Sequence, residues 1–323
     1  MAEQARSTHP RRRAPGLARI LGLALLGALA CAAAPGLHAQ EEAGKSFQAW
    51  LQGVRAEAAA QGIAPATLDE ALAGVAPIPR VVELDRRQPE STLTFAQYLD
   101  RVVPARRVEI GRRKLAEHRE LLAAVGARYG VQPRYIVALW GVETGFGRIT
   151  GSFPVIAALA TLAYDGRRAE FFRGELLKAL RILDEGHIAP AQMKGSWAGA
   201  MGQVQFMPSS FLRYARDHDD DGRQDIWTST ADAFASAANY LAGVGWRDDQ
   251  TWGREVRLPD DLDPDLIGTD VVKGLADWQA LGVRRADGSD LPGRNLPASI
   301  IRPDGAGGPA YAVYDNFRAL LRW

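Results

Sequence analysis

Cysteine is all but missing from this chain: Cys31 is the only one in 323 residues. That excludes an intramolecular disulfide framework, a cysteine zinc site and a Cys/His nucleophile in the body of the protein. Histidine is scarce too, and past residue 40 only His118, His187 and His218 remain. They are scattered and read as surface or structural residues, with no zinc, flavin or nucleotide site implied. Charge of one sign is also lacking. With 39 basic and 38 acidic side chains the formal net charge is +1, so nothing draws the chain globally to nucleic acid, and no such partner is expected. Long apolar runs are absent as well: the unbroken apolar core after Arg19 falls short of the roughly 20 residues a membrane span needs. What is present, 47% hydrophobic and 24% charged residues, is ordinary globular composition and excludes disorder or coiled coil for the whole.

Arg11, Arg12, Arg13 and Arg19 precede ILGLALLGALACAAAPGL, the basic and apolar regions of a secretory signal. Residues 1–39 read as a leader cut after Leu37-His38-Ala39, which directs the protein to the periplasm. Leu29-Ala30-Cys31 also resembles a loose lipobox, so the alternative is a lipoprotein signal over 1–30 with Cys31 as an outer-membrane lipid anchor. The ordinary site fits better because Ala28 stands where a lipobox usually has Leu.

Residues 40–84 form an Ala-rich helical segment, with helical spacing in FQAWLQGVRAEAAAQ and PATLDEALAGV. Pro77, Pro79 and VVELDRRQPE read as a linker. STLTFAQYLDRVV and ARRVEIGRRKLAEHRELLAAVGARYG predict two longer helices, the second closed by Gly130. Short helices between glycine loops continue from Gln132 to about Gly245. From Trp252 onward REVRLP and YAVY alternate like strands. The fold class is mainly α (α+β): an N-terminal helical region, a helical core over 85–250 and a small β-containing portion over 251–323.

Three stretches carry candidate chemistry. In IVALWGVETGFG, Glu143 ends an apolar helix and Gly145 and Gly147 permit a sharp turn after it. The helix dipole and apolar neighbours both raise a carboxyl pKa, as a general acid needs; capping a loop or pairing with Arg148 is the structural alternative. In GSWAGAMGQVQFMPSS, Ser196, Gln203 and Gln205 offer neutral hydrogen-bonding groups suited to a sugar. Trp140, Phe146, Trp197 and Phe206 offer apolar faces, while a tight helix junction with a Met/Phe core remains the other reading. In DHDDDGRQDIW, Asp217, Asp219, Asp221, Gly222 and Asp225 fit EF-hand positions, with the Arg223 carbonyl at position seven. Position twelve is Thr228, not an acid, so a rigid aspartate-capped turn is the alternative.

DRRQPE, VETGFG, VIAALATLAYDGRRAEFFRGELLKAL, GSWAGAMGQVQFMPSS, SAANYLAGVGW and NFRALLRW together resemble the lytic murein transglycosylase B family (membrane-bound lytic transglycosylase B-like) of the lysozyme-like superfamily. The resemblance implies a lysozyme-like core that cleaves peptidoglycan without water, giving 1,6-anhydro products. Glu143 would act alone as acid and then base; Asp165 and Glu170, the nearest second carboxylates in sequence, read as solvated charges. Ser196, Gln205, Tyr240 and Tyr98 match substrate-binding positions of the family. No cofactor is required, although a structural calcium at Asp217, Asp219, Asp221 and the Arg223 carbonyl is implied by some members. Glycan strands are the implied substrate, cell-wall synthases the implied class of protein partner, and membrane contact is expected only through a lipidated Cys31. The family pattern continues past NFRALLRW, so a cleft asparagine would fall beyond Trp323. A hydrolytic muramidase and an inactive peptidoglycan-binding protein stay open as alternatives.

Overall fold

Proline sets where several helices begin. The computed structural model describes the backbone of residues 35–87 and 93–323, with side chains from residue 46 on within those ranges; the leader up to residue 34 and Cys31 lie outside the described residues. Residues 42–323 form the body of the chain. The described chain runs first through α1 (Pro35–Ala60), α2 (Pro65–Leu72), α3 (Pro79–Arg86), α4 (Phe95–Val102), α5 (Ala105–Glu117), α6 (Arg119–Tyr129) and α7 (Pro133–Thr144). Strand β1 (Phe153–Pro154) leads into α8 (Val155–Asp165) and α9 (Ala169–Asp184), and β2 (Lys194–Gly195) precedes α10 (Pro208–Tyr214) and α11 (Thr230–Gly243). Pro65, Pro79, Pro133 and Pro208 open α2, α3, α7 and α10, where a missing N–H forfeits no helical hydrogen bond and the fixed φ already suits the helix.

The sequence of α8 is apolar on every side, and Val155, Ile156, Leu159 and Leu162 are buried, as a helix enclosed by others requires. Helix α9 packs along it, α2 against α9, and α3 against α8. Phe47, Leu51, Val54, Leu68 and Val81 join this same helical core. The catalytic candidate sits on α7, which packs against α5, α6 and α11.

Two elements depart from the sequence reading. The expected linker at VVELDRRQPE forms α3 as far as Arg86, because Val81 and Asp85 share a buried face four residues apart. Asp85 accepts ion pairs from Arg167 at 2.9 Å and Arg168 at 2.6 Å, which satisfy it there. The single long helix expected over 105–129 breaks at His118, whose φ of −102° and ψ of 24° leave helical geometry. Its ring turns inward onto the edges of Trp140 and Phe234, at 5.6 and 5.5 Å. Gly130, in left-handed conformation, closes α6 as expected.

From Gly253 the chain forms β3 (Gly253–Arg257), β4 (Lys273–Gly274), α12 (Leu275–Ala280), β5 (Arg284–Arg285), β6 (Pro297–Ile301) and β7 (Ala310–Val313). The sheet is antiparallel, in the order β4-β6-β7-β3-β5. In β3 Val256 is buried between exposed Glu255 and Arg257, the alternation a one-sided sheet requires. Leu275, Trp278, Val283, Ile300 and Tyr314 make a second core, in which Trp278 Nε1 donates to the Ala298 carbonyl at 2.9 Å. Helix α13 (Asp315–Leu320) then returns to the helical core, where Ala319, Leu320 and Trp323 pack. Buried Asn316 fixes that return: its Oδ1 accepts from the Arg247 N–H at 2.7 Å, and its Nδ2 donates to the Arg247 and Gln250 carbonyls. The mainly α fold with a small β-containing C-terminal portion is therefore the one observed.

Candidate active site

Helix α7 starts at Pro133 and ends abruptly. Gly145, Phe146 and Gly147 follow Thr144 with φ of 58°, 66° and 77°, three successive left-handed residues. For Phe146 this is an uncommon conformation, and ring packing holds it there: the ring meets Trp140 edge-on at 5.6 Å. A Cβ at Gly141 would lie 2.7 Å from that ring, so α7 needs glycine at this position. At Gly147 a Cβ would stand 2.6 Å from Gln203 Oε1, so glycine is required there on both steric and conformational grounds.

Glu143 lies half-buried in the last turn of α7, and its Oε1 accepts a hydrogen bond from Trp323 Nε1 at 3.1 Å. Burial pushes its carboxyl above the usual carboxylate range, and the Trp323 bond opposes this only in part. Trp323 also meets Tyr240 at 4.9 Å and Phe206 at 5.5 Å. Tyr240 donates its hydroxyl to the Arg322 carbonyl, so Tyr240 and Glu143 are joined through the same terminal segment. Burial raises the phenol pKa of Tyr240.

The turn after Glu143 lies against the 195–206 segment. A Cβ at Gly151 would fall 2.0 Å from the Gly195 carbonyl, and Phe153 pairs with Gly195 in the β1–β2 ladder. Ser196 Oγ accepts from the Ala200 N–H at 3.0 Å. Gln205, at φ 51°, donates Nε2 to the carbonyls of Thr150 and Gly202, at 3.1 and 2.9 Å. Ser196 and Gln205 thus both border the turn that follows Glu143. Tyr98 stands apart: it is 48% exposed on α4, and none of the described hydrogen bonds or ring contacts joins it to Glu143.

The sugar-facing roles expected for Gln203, Trp140, Phe146 and Phe206 do not hold. Gln203 is buried, accepting from Trp140 Nε1 at 2.9 Å, and the three aromatic rings belong to the helical core. Trp197 remains half-buried. Asp165 is tied to Arg86 at 2.9 Å and Glu170 is exposed at the start of α9. Nothing in the local sequence marks Trp323 as a neighbour of Glu143, because the two lie 180 positions apart.

In the acidic loop Asp217, Asp219 and Asp221 place carboxylate oxygens within 4.8 Å of one another, a hard-oxygen set of the kind calcium takes. The second half of the loop is turned to other uses. Asp225 accepts from the N–H groups of Trp227 and Thr228, at 2.9 and 2.8 Å, and from the Thr228 hydroxyl. Buried Asp232 accepts from the N–H groups of His218 and Asp225, both at 2.7 Å. The Arg223 side chain pairs with Asp221 at 3.1 Å. The residues present fit a cation over the first half of the loop and supply no bidentate acid at its end.

A family model described as the transglycosylase SLT domain matches residues 46–323. The chain is 37% identical over 203 residues to the membrane-bound lytic murein transglycosylase B of Escherichia coli, a match covering 60% of this chain and 53% of that protein. It therefore spans about half the length of the curated relative it matches. SltB3 from Pseudomonas aeruginosa, solved in complex with NAG-NAM-pentapeptide, is 47% identical with a TM-score of 0.84, over 85% of this chain and 74% of that one. The Escherichia coli lytic transglycosylase Slt35, solved in complex with calcium, is 29% identical with a TM-score of 0.72, over 86% of this chain and 87% of that one.

Proposed function

The chain belongs to the transglycosylase SLT domain family, and from that membership we propose that it is a peptidoglycan lytic transglycosylase in which Glu143 is the catalytic acid and base. The observation that carries the proposal is the half-buried Glu143 carboxyl at the end of α7, bonded by the Trp323 indole and pushed above the usual carboxylate range by burial. A protonated carboxyl can donate to the oxygen linking N-acetylmuramic acid to N-acetylglucosamine. The substrate's own acetamido group then stabilises the cationic centre at C1. Glu143, now a carboxylate, takes the proton of the muramoyl C6 hydroxyl as that oxygen bonds to C1, and the 1,6-anhydro ring closes without water. Hydrolysis with retention would need a second carboxylate roughly 5 Å away; of the nearest candidates in sequence, Asp165 is tied to Arg86 and Glu170 is exposed at the start of α9. Ser196, Gln205 and Tyr240 border the same turn and terminal segment and would orient the sugar, a positioning contribution.

Glycan strands are the substrate in this reading, supported by the saccharide–peptide complex of SltB3. The Arg-rich, apolar leader directs export to the periplasm, with lipidation of Cys31 as the route to the outer membrane. Among the described residues no helix is long and apolar enough to cross a membrane. A calcium-like cation, where bound, would rest on Asp217, Asp219, Asp221 and the Arg223 carbonyl and would stiffen the loop; no reaction step passes through it. The test is Glu143→Gln applied to isolated sacculi. Solubilisation should disappear while sedimentation with sacculi persists; turnover equal to wild type refutes the role of Glu143.

A further inference from the structure

We infer that Gln203 is a positioning residue for Glu143, clamping the last turn of α7 from behind without touching substrate; the inference rests on Glu143 being the general acid. Gln203 Oε1 accepts from Trp140 Nε1 at 2.9 Å, and its backbone carbonyl accepts from Thr144 Oγ1 at 2.8 Å. These donors stand three residues before Glu143 and one after it, so one buried residue grips the helix on both sides of the carboxylate. The Thr144 hydroxyl in turn accepts from the Gly147 N–H at 2.9 Å, which extends the grip into the left-handed turn. The clamp has an anchor of its own. Gln203 N–H donates to the Ile226 carbonyl at 2.8 Å, Ile226 is fully buried, and a Cβ at Gly202 would sit 2.7 Å from it.

The need for a clamp follows from the way α7 ends. Three left-handed residues follow Thr144 directly; the N–H groups of Gly145 and Phe146 close the last turn onto the Gly141 and Trp140 carbonyls, both at 3.1 Å, but these backbone bonds do not tie that turn to the segment facing it, and small displacements of a catalytic group are costly. A shift of about 1 Å can lower a rate by about 100-fold. Gln203→Met keeps the length of the side chain and removes the acceptor, leaving the buried Trp140 N–H unsatisfied; Gln203→Glu retains the acceptor.

Two readouts separate positioning from mere stability: steady-state kinetics on peptidoglycan fragments, and a pH titration of the Trp323 ¹⁵N-indole resonance, which follows Glu143 through the Nε1–H to Oε1 bond. Gln203→Met should lower kcat by about 10- to 100-fold, leave KM within about twofold, and move the Trp323 midpoint down as water reaches the carboxyl. Gln203→Glu should keep kcat within a few-fold of wild type. The inference is overturned if kcat or the Trp323 midpoint is unmoved in Gln203→Met, if KM carries the effect, or if Gln203→Glu is equally impaired. Those results leave the role of Glu143 standing wherever wild type still releases anhydro products. A wild type that releases none overturns both. Should Gln203→Met fail to fold, Thr144→Val deletes only the hydroxyl bonds, and unchanged kcat there counts against the clamp.

Discussion

Glu143 is held between two opposed influences: burial favours its protonated form, and the Trp323 indole favours the carboxylate. Burial prevails, so the folded chain keeps this proton to higher pH than the unfolded chain does. The stability so gained is complete below the unfolded carboxylate pKa and is lost as pH rises through the raised folded value. Glu143→Gln cannot ionise and should therefore melt higher than wild type at about pH 8 but close to it at about pH 4. Calorimetry that finds the same difference at both values would contradict burial as the cause. Trp323→Phe keeps an aromatic ring beside Phe206 and Tyr240 and deletes the bond to the carboxylate. The carboxyl pKa should then rise further, moving the alkaline limb of the pH–rate profile to higher pH; a limb moving down would show that the indole acts in some other way.

At the scale of elements, the end of α7 decides the geometry of the site. Gly147→Ala imposes φ 77° on an L-residue and drives a Cβ toward Gln203 Oε1. It should cost about 1–3 kcal/mol and lower kcat more than KM, as denaturant titration and steady-state rates will report; wild-type values would mean the turn relaxes freely. Much of this turn was legible in the sequence, since a glutamate between an apolar helix and two glycines is a local pattern. The bonding of Gln203 was not legible, because an amide in a glycine-rich loop looks solvent-facing until the loop is folded against α7. Helix α3 was hidden for a similar reason: the charges of ELDRR mask Val81 and Asp85, whose burial depends on arginines some eighty residues later. The acidic loop was legible by spacing, but the inward turn of Asp225 and Asp232 was not.

In the molecule as a whole, the helical core and the sheet core are linked by α13, which brings Trp323 to Glu143. The site therefore depends on a sheet that supplies none of its polar groups. Trp278→Ala empties the centre of the sheet core and should cost about 3–5 kcal/mol, with activity falling as α13 loses its footing. A loss below about 1 kcal/mol would mean the sheet is not a packed unit. The proposed reaction uses a single carboxyl and no water. It is tested most directly by the masses of muropeptides released when the purified protein digests peptidoglycan. Products ending in 1,6-anhydro-N-acetylmuramic acid, one water lighter than hydrolysed ends, are expected from wild type and absent with Glu143→Gln; reducing ends carrying the added water would contradict it.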